Sequence, residues 1–244
     1  MTRQSPPGDL EPRAAIAEGV RVYRDHHGRG GELELRLGSR TDDGRFVAGV
    51  PRNVLETLER ELADAGLRAD RGWTELVDYF YVDAAGRTVR TRVTFDSDRM
   101  TVGTQHVRKE TLEDVIVCRD DDPLEACRMT ACIEHPVDPP PASCLVNHVR
   151  VKQRRRFLDV RGDDHVVFSF ELSKTWFAGS RDAVEFQQHN ADPVYEVECE
   201  LIDAGGAYLA ARADSDVAES LLMKARMLLG DDVDGRLRLL TRAG

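Results

Sequence analysis

Tyr195-Glu196-Val197-Glu198-Cys199-Glu200-Leu201 carries three carboxylates at alternate positions. Successive side chains of a β-strand point to opposite faces. Read as a strand, the segment turns Glu196, Glu198 and Glu200 to one side and Val197, Cys199 and Leu201 to the other. Like charges on one face repel, and an exposed strand normally mixes signs. The same inverted pattern recurs upstream. Glu32-Leu33-Glu34-Leu35-Arg36-Leu37-Gly38 sets two carboxylates and an arginine against three leucines, and Arg150-Val151-Lys152-Gln153-Arg154 puts three cations on one face. Arg128, Thr130 and Glu134 oppose Cys127, Met129, Ala131 and Ile133; Arg90, Arg92 and Thr94 oppose Val89 and Val93; Glu171 and Ser173 oppose Phe168, Phe170 and Leu172. Any one of these strands reads as an ordinary sheet with a solvated face. Together, separate acidic and basic strands predict a closed barrel with a charged interior and an apolar outer wall covered by helices.

The flanking sequence supplies those helices. Leu10, Ala14, Ile16, Val20 and Tyr23 have helical spacing, and His26, His27 and the glycines at 28, 30 and 31 end that helix. Pro51 opens a second amphipathic helix with Val54, Leu55, Leu58 and Leu62 on one face and Gly66 as its stop. A third runs from Asp216 to Leu229. Between them, strands are predicted at 79–83 and 88–95 around an Ala-Ala-Gly-Arg hairpin, then at 99–109, 113–119, 126–134, 144–157, 165–175 and 194–202, with a turn at Arg161-Gly162-Asp163-Asp164. The expected fold is α+β: one closed antiparallel eight-stranded barrel over residues 10–244, flanked by helices, after a polar tail at 1–9 expected to be disordered.

Composition narrows the ligand. With 34 Lys+Arg against 44 Asp+Glu the net charge is −10, and 32% of residues are charged. An acidic chain does not coat nucleic acid by counterion release, nor dock on an anionic membrane. No apolar run approaches the roughly 18 residues of a membrane span, and the N-terminus lacks a signal-peptide core. Cys118, Cys127, Cys132, Cys144 and Cys199 lack CxxC spacing and read as reduced thiols, mostly buried. The expected setting is intracellular, not secreted.

Carboxylates from two strands make an oxygen-only site, the ligand set chosen by hard cations such as Mg²⁺ or Mn²⁺. The seven histidines read as non-ligands, His26 and His27 diverging as neighbours on a strand. A facing wall of Arg and Lys complements a polyphosphate, and phosphoryl transfer needs mainly positioning and charge neutralisation. The sequence has neither a GxxxxGK[ST] loop nor GxGxxG, and Gly28-Arg29-Gly30-Gly31 reads as a flexible connection.

At ELELRLG (32–38), RVTFD (92–96), ACRMTACIEHP (126–136), RVKQR (150–154), FELSK (170–174) and YEVECEL (195–201) the chain resembles the metal-dependent RNA 5′-triphosphatases of mRNA capping, of the fungal, protozoal and large-DNA-virus type, within the triphosphate tunnel metalloenzymes. The resemblance implies that Glu32, Glu34 and Glu200 coordinate Mg²⁺ or Mn²⁺. It implies that Glu198 and Glu134 position or activate the attacking water, with Glu196 supporting the acidic wall. Arg92, Lys152 and Arg154 would hold the γ-phosphate, and Arg150 and Arg128 would line the tunnel. Glu171 and Ser173 would face substrate where the family more often has Asp and Thr, and Ser169 stands where a cation is sometimes found. The strand pattern leaves open which of Arg108 and Lys109 faces inward.

The implied enzyme is a polynucleotide 5′-phosphatase that acts on an acid anhydride: it removes the γ-phosphate from nascent RNA, and it also has Mn-dependent nucleoside triphosphatase activity. Substrates are the RNA 5′-triphosphate end and NTP, and a guanylyltransferase is the candidate partner, since no guanylyltransferase lysine motif accompanies the domain. No exposed apolar stripe demands a dimer, so a monomer is favoured over a homodimer. Nucleus or cytoplasm, or a viral factory for a viral chain, is the location implied. The alternatives are another tunnel enzyme, acting on thiamine triphosphate or inorganic tripolyphosphate or as a class IV adenylate cyclase, a non-catalytic polyphosphate-binding module, and a charged β-rich scaffold. Arg36 and the RVKQR strand favour the capping branch.

Overall fold

A computed structural model of the chain describes residues 12–70, 72–96, 98–119, 125–141, 143–161, 165–203, 206–229 and 237–240. The expected tail at 1–9, Leu10 at the head of the first helix, and the turn residues Gly162, Asp163 and Asp164 lie outside them. In chain order the elements are α1 (Pro12–His26), β1 (Gly31–Arg40), β2 (Phe46–Ala48), α2 (Arg52–Asp64), β3 (Arg68–Ala69), β4 (Thr74–Val82), β5 (Thr88–Phe95), β6 (Thr101–Arg119), β7 (Glu125–Pro136), β8 (Val146–Arg161), β9 (His165–Ala178), α3 (Arg181–Asn190), β10 (Val194–Leu201), α4 (Ala207–Ala210), α5 (Asp214–Leu228) and β11 (Leu237–Leu240).

Eight strands close on themselves in the order β1-β10-β9-β8-β4-β5-β6-β7 and back to β1, every pairing antiparallel. The three remaining strands are short. Each continues an edge where a barrel neighbour stops: β2 on β1, β3 on β8 and β11 on β6. Where β2 pairs with β1, a side chain on Gly38 would collide with the Val47 carbonyl oxygen, which explains the glycine at that position.

The hydrophobic core lies outside the barrel. Leu33, Leu35, Phe168, Phe170, Leu172, Val197 and Cys199 point outward and meet Ile16 and Val20 of α1, Leu55, Leu58 and Leu62 of α2, and Val217, Leu221 and Ala225 of α5. Burial of each large aliphatic chain contributes about 2 kcal/mol. A one-residue slip would exchange those of β1 and β10 for charges and most of those of β9 for Ser or Glu, so the alternation fixes the register. The cysteines are free, four of them buried and Cys144 partly so. Burial pushes the Cys127 thiol up to about 12, which keeps it protonated.

Several details differ from the sequence reading. β6 is one continuous strand, where alternation predicts two runs; a register shift between Thr111 and Glu113 resets its faces. β4 begins at Thr74, five residues before the predicted start at Tyr79. Helix α3 was not expected, because Val184 alone among its residues is buried; Ser180 caps it by accepting from the Ala183 N–H. His26 and His27 sit at the end of α1, not on a strand, and His27 packs edge-on to Tyr23. The Gly28–Gly31 segment is a hydrogen-bonded turn: the Gly30 carbonyl accepts the Glu134 N–H at 2.7 Å. No helix among the described residues is long and apolar enough to cross a membrane.

Candidate active site

Closure of the barrel brings the charged faces around one tunnel. Its central lining holds six carboxylates, from Glu32, Glu34, Glu134, Glu171, Glu198 and Glu200, and seven cations, from Arg36, Arg90, Arg92, Lys109, Arg150, Lys152 and Arg154. The signs divide by strand. β1, β10 and β9 supply most of the acids, and β8, β5 and β6 supply most of the bases. The near-equality of charge explains why the free space at the centre is only about 70 Å³: acids and bases cross-pair over the lumen.

On the acidic wall, Glu34 lies directly opposite Glu200 in the β1–β10 pairing, and Arg36 opposite Glu198. Glu32 and Glu34 share one face of β1. The Lys109 ammonium donates to Glu32 Oε2 at 3.0 Å and to Glu34 Oε1 at 3.4 Å, so Lys109 is the inward residue of its pair. Arg108 turns away and meets Glu110 at 3.4 Å. Burial, and next the charge of Glu134, push the Glu32 carboxyl up despite Lys109. Glu200 is pushed up to about 8 by burial and by Glu171, Glu32 and Glu34. Both carboxyls therefore hold a proton more tightly than an ordinary glutamate does.

On the basic wall, Lys152 Nζ is 3.1 Å from Glu198 Oε1 and 3.3 Å from Glu196 Oε2. Arg36 reaches Glu198 at 2.8 Å. Burial alone would raise the Glu198 carboxyl, but Lys152, Arg36 and Arg150 outweigh it and hold the group well below the usual carboxylate range. Arg154 Nη1 bonds both Glu171 oxygens, at 3.1 and 3.2 Å. Arg156 Nε also reaches Glu171, at 3.1 Å, and bonds Ser169 Oγ at 3.2 Å. A cation from the adjacent strand therefore fills the space beside Ser169. Arg90 joins Glu134 at 2.6 Å. Asp78, fully buried, accepts from Arg92 Nε at 2.7 Å and Arg150 Nε at 2.9 Å.

The expected site residues thus fall into three groups. Glu32, Glu34, Glu134, Glu198, Glu200, Arg92, Arg150, Lys152, Arg154 and Glu171 line the tunnel. Arg128 sits further out, in one mouth, with its guanidinium over the Phe46 ring. Glu196 and Ser173 lie behind the lining: Glu196 accepts from Thr175 Oγ1 at 2.9 Å, and Ser173 is fully buried. Sequence reasoning assigned no role to Asp78, Arg90 or Arg156, and it left open whether Arg108 or Lys109 faces inward. The alternation Leu76, Asp78, Phe80 against Val77 and Tyr79 carries the signal for Asp78, once β4 is extended to Thr74.

Two features fit ligands of opposite sign. Arg36, Arg90, Arg128 and Arg154 line the tunnel and its mouth, and each has a buried Nε without a protein hydrogen-bond partner, donor capacity that suits phosphate oxygens. Glu32, Glu34 and Glu200 offer only carboxylate oxygens, which suits a hard divalent cation. Among the described residues no three His, Cys, Asp or Glu side chains stand close enough to form a finished metal cage. The carboxylates fit such an ion by donor chemistry and charge, with Lys109 between two of them.

A closed eight-stranded barrel with acidic and basic walls facing across its lumen has the architecture of the triphosphate tunnel proteins. Solved structures of two such proteins share it. The S. pombe Pct1 RNA triphosphatase matches 93% of this chain over 95% of its own, with a TM-score of 0.66 and 17% identity. The RNA triphosphatase domain of the trifunctional mimivirus mRNA capping enzyme matches 92% of this chain over 100% of its own, with a TM-score of 0.52 and 13% identity. No protein-family model matches the sequence, and no curated protein is similar to it by sequence. At these identities the likeness establishes the fold: the chain has the tunnel fold seen in RNA triphosphatases.

Proposed function

We propose that this chain removes the γ-phosphate from the 5′-triphosphate end of RNA, leaving a diphosphate end, and that it hydrolyses nucleoside triphosphates by the same chemistry. The observation that carries the reading is the facing of Glu32, Glu34 and Glu200 by Arg92, Lys152 and Arg154 across one narrow lumen, in the fold of the RNA triphosphatases.

In this reading Glu32, Glu34 and Glu200 hold Mg²⁺ or Mn²⁺, which when bound neutralises phosphate charge. Lys152 and Arg154 turn from Glu198 and Glu171 toward the γ-phosphate oxygens, and Arg92 adds a third cation. Arg150 and Arg128 follow along the tunnel toward the rest of the triphosphate. Glu198 keeps Arg36 beside it at 2.8 Å and stays ionised, so it accepts a hydrogen bond from the attacking water and orients it. Glu134 takes the proton. The water oxygen bonds to the γ-phosphorus as the bond to the β–γ bridging oxygen breaks, and charge passes to the leaving diphosphate. The rate gain comes from positioning and charge stabilisation. Glu171 and Glu196 keep Arg154 and Lys152 aimed.

Residues 10–244 act as one domain in this proposal. A guanylyltransferase takes the diphosphate end onward, which places the reaction wherever RNA is capped. The test compares phosphate release from triphosphate-ended RNA, NTP, thiamine triphosphate and inorganic tripolyphosphate in Mg²⁺ and in Mn²⁺. Release from RNA ends supports the reading. Cleavage of tripolyphosphate with RNA ends untouched overturns it in favour of a small-polyphosphate enzyme.

A further inference from the structure

The two ends of the tunnel are chemically unlike. β1 runs from Glu32 toward Arg36, and antiparallel β7 runs back from Arg128 to Glu134, so one end of both strands is basic and the other acidic. The basic mouth, about 270 Å³, carries Arg36, Arg90, Lys109, Arg128 and Arg150 with one carboxylate, Glu34. The acidic mouth, about 730 Å³, carries Glu32, Glu134 and Glu200 with neither Lys nor Arg. A polyanion is drawn to the first and repelled by the second.

At the basic mouth stands an aromatic pair that the hydrolytic chemistry does not use. Phe80 of β4 and His148 of β8 are cross-strand partners. Their rings stack with centroids 4.1 Å apart and planes 13° from parallel. The Arg150 guanidinium lies over the Phe80 ring, 5.4 Å from its centroid. Phe80 belongs to none of the buried apolar clusters, and both rings are only partly buried. An ordinary packing pair would face the core. Phe80 instead lines the basic mouth with Arg90 and Arg150, and His148, two residues before Arg150 on β8, shares that strand's inward face by alternation.

We propose that the basic mouth is the entrance for substrate and that the Phe80–His148 pair is a nucleobase subsite, on which the first base of a triphosphate-ended chain stacks while its phosphates extend inward past Arg150 to Lys152 and Arg154. The proposal rests on the triphosphatase reading and adds the direction of threading and the recognition of a nucleoside. Stacking on an aromatic surface is tolerant of base identity, because every base has a π-face. The subsite therefore separates nucleotides from inorganic polyphosphates without choosing among bases. Water then attacks from the acidic mouth, where Glu134 lies, in line with a diphosphate leaving toward the basic one.

The experiment measures equilibrium binding by calorimetry in Mg²⁺, with the β,γ-imido analogue of a nucleoside triphosphate and with imidotriphosphate, which has no base. Phe80→Ala and His148→Ala should weaken the nucleotide analogue by roughly tenfold and leave imidotriphosphate unchanged, while His148→Phe, which keeps a ring, should bind nucleotide like the wild type. Equal weakening of both ligands, no weakening of either, or a wild type that binds both alike would overturn the proposal. A wild type that binds nucleotide in this ring-dependent way yet releases no phosphate from RNA ends would overturn the reaction and leave the subsite standing.

Discussion

The ammonium of Lys109 lies 3.0 Å from Glu32 Oε2 and reaches Glu34 Oε1 at 3.4 Å, bridging two of the three carboxylates that best suit a metal ion. Burial works against this ammonium, but Glu34 and Glu32 outweigh burial and keep it charged. A divalent ion entering the acidic wall must compete with it. Lys109→Met should therefore tighten Mn²⁺ binding several-fold, on the order of 1 kcal/mol for a partly exposed pair, and make the metal-free protein less stable. Titration calorimetry with Mn²⁺ reads the first effect and thermal unfolding the second. Unchanged affinity would mean that the lysine does not compete for the site.

Loss of a ligand should be far more severe than loss of the competitor. Glu32→Gln, Glu34→Gln and Glu200→Gln each keep the shape and remove one charge. Phosphate release should fall by at least about 10²-fold, the scale seen when a preorganised electrostatic group is removed. The rise in melting temperature on adding Mn²⁺, which follows mass action on the folded state, should shrink in all three. A variant that retains both turnover and the thermal shift would remove its residue from the ligand set.

Glu200 gives that thermal shift a pH dependence. Its carboxyl is pushed up to about 8, against an ordinary value of 4.5. A group whose folded-state pKa is raised contributes stability that is complete below its unfolded value and is lost as pH rises through its folded value. The metal-free protein should lose stability from this site between about pH 4.5 and pH 8. Metal binding must displace the proton, so apparent affinity should rise over the same range. The Mn²⁺-induced shift in melting temperature should grow from about pH 5 to about pH 8, and Glu200→Gln should flatten it. A shift that does not vary with pH in the wild type would show that the proton and the metal do not share this carboxylate.

The barrel and much of its lining were legible because period-two alternation converts directly into an inside and an outside. Glu32 and Glu34, Arg150 to Arg154, and Glu196 to Glu200 each show it over consecutive positions. What stayed hidden depends on structure at longer range. Lys109 could not be assigned a face because the β5–β6 register shifts between Thr101 and Gly103, and only the pairings of Val107 with Arg90 and of Lys109 with Glu134 fix it. Asp78 is, with Glu75, one of two acids in a segment otherwise mostly apolar and aromatic, and its role appears only when β5 and β8 bring Arg92 and Arg150 to either side. Arg156 reaches the space beside Ser169 from a neighbouring strand, so no reading of β9 alone could find it. The offset of Arg128, Ser173 and Glu196 from the central lining likewise reflects strand stagger, to which alternation is blind.

Asp78 is the residue by which the hidden part of the site can be tested. It is 0% exposed, and its two oxygens receive Arg92 at 2.7 and 3.1 Å and Arg150 at 2.9 Å. Burial favours the neutral acid, but the hydrogen bond from Arg92 and the charges of Arg150 and Arg92 hold the carboxyl well below its usual range. Removing one member of a buried ion pair costs about 3–5 kcal/mol, because the remaining charge is left without its partner. Asp78→Asn should destabilise by that order at neutral pH. It should also lower turnover, since Arg92 and Arg150 lose the group that aims them. The sign of the pH effect follows from the depressed pKa: the carboxylate's contribution is complete above its unfolded value of 3.8 and disappears as pH falls through its lower folded value. Urea unfolding of wild type and variant should therefore show the full gap at about pH 7 and a narrower one below about pH 4. A gap of constant size would mean that the stability lost in the variant is packing rather than charge.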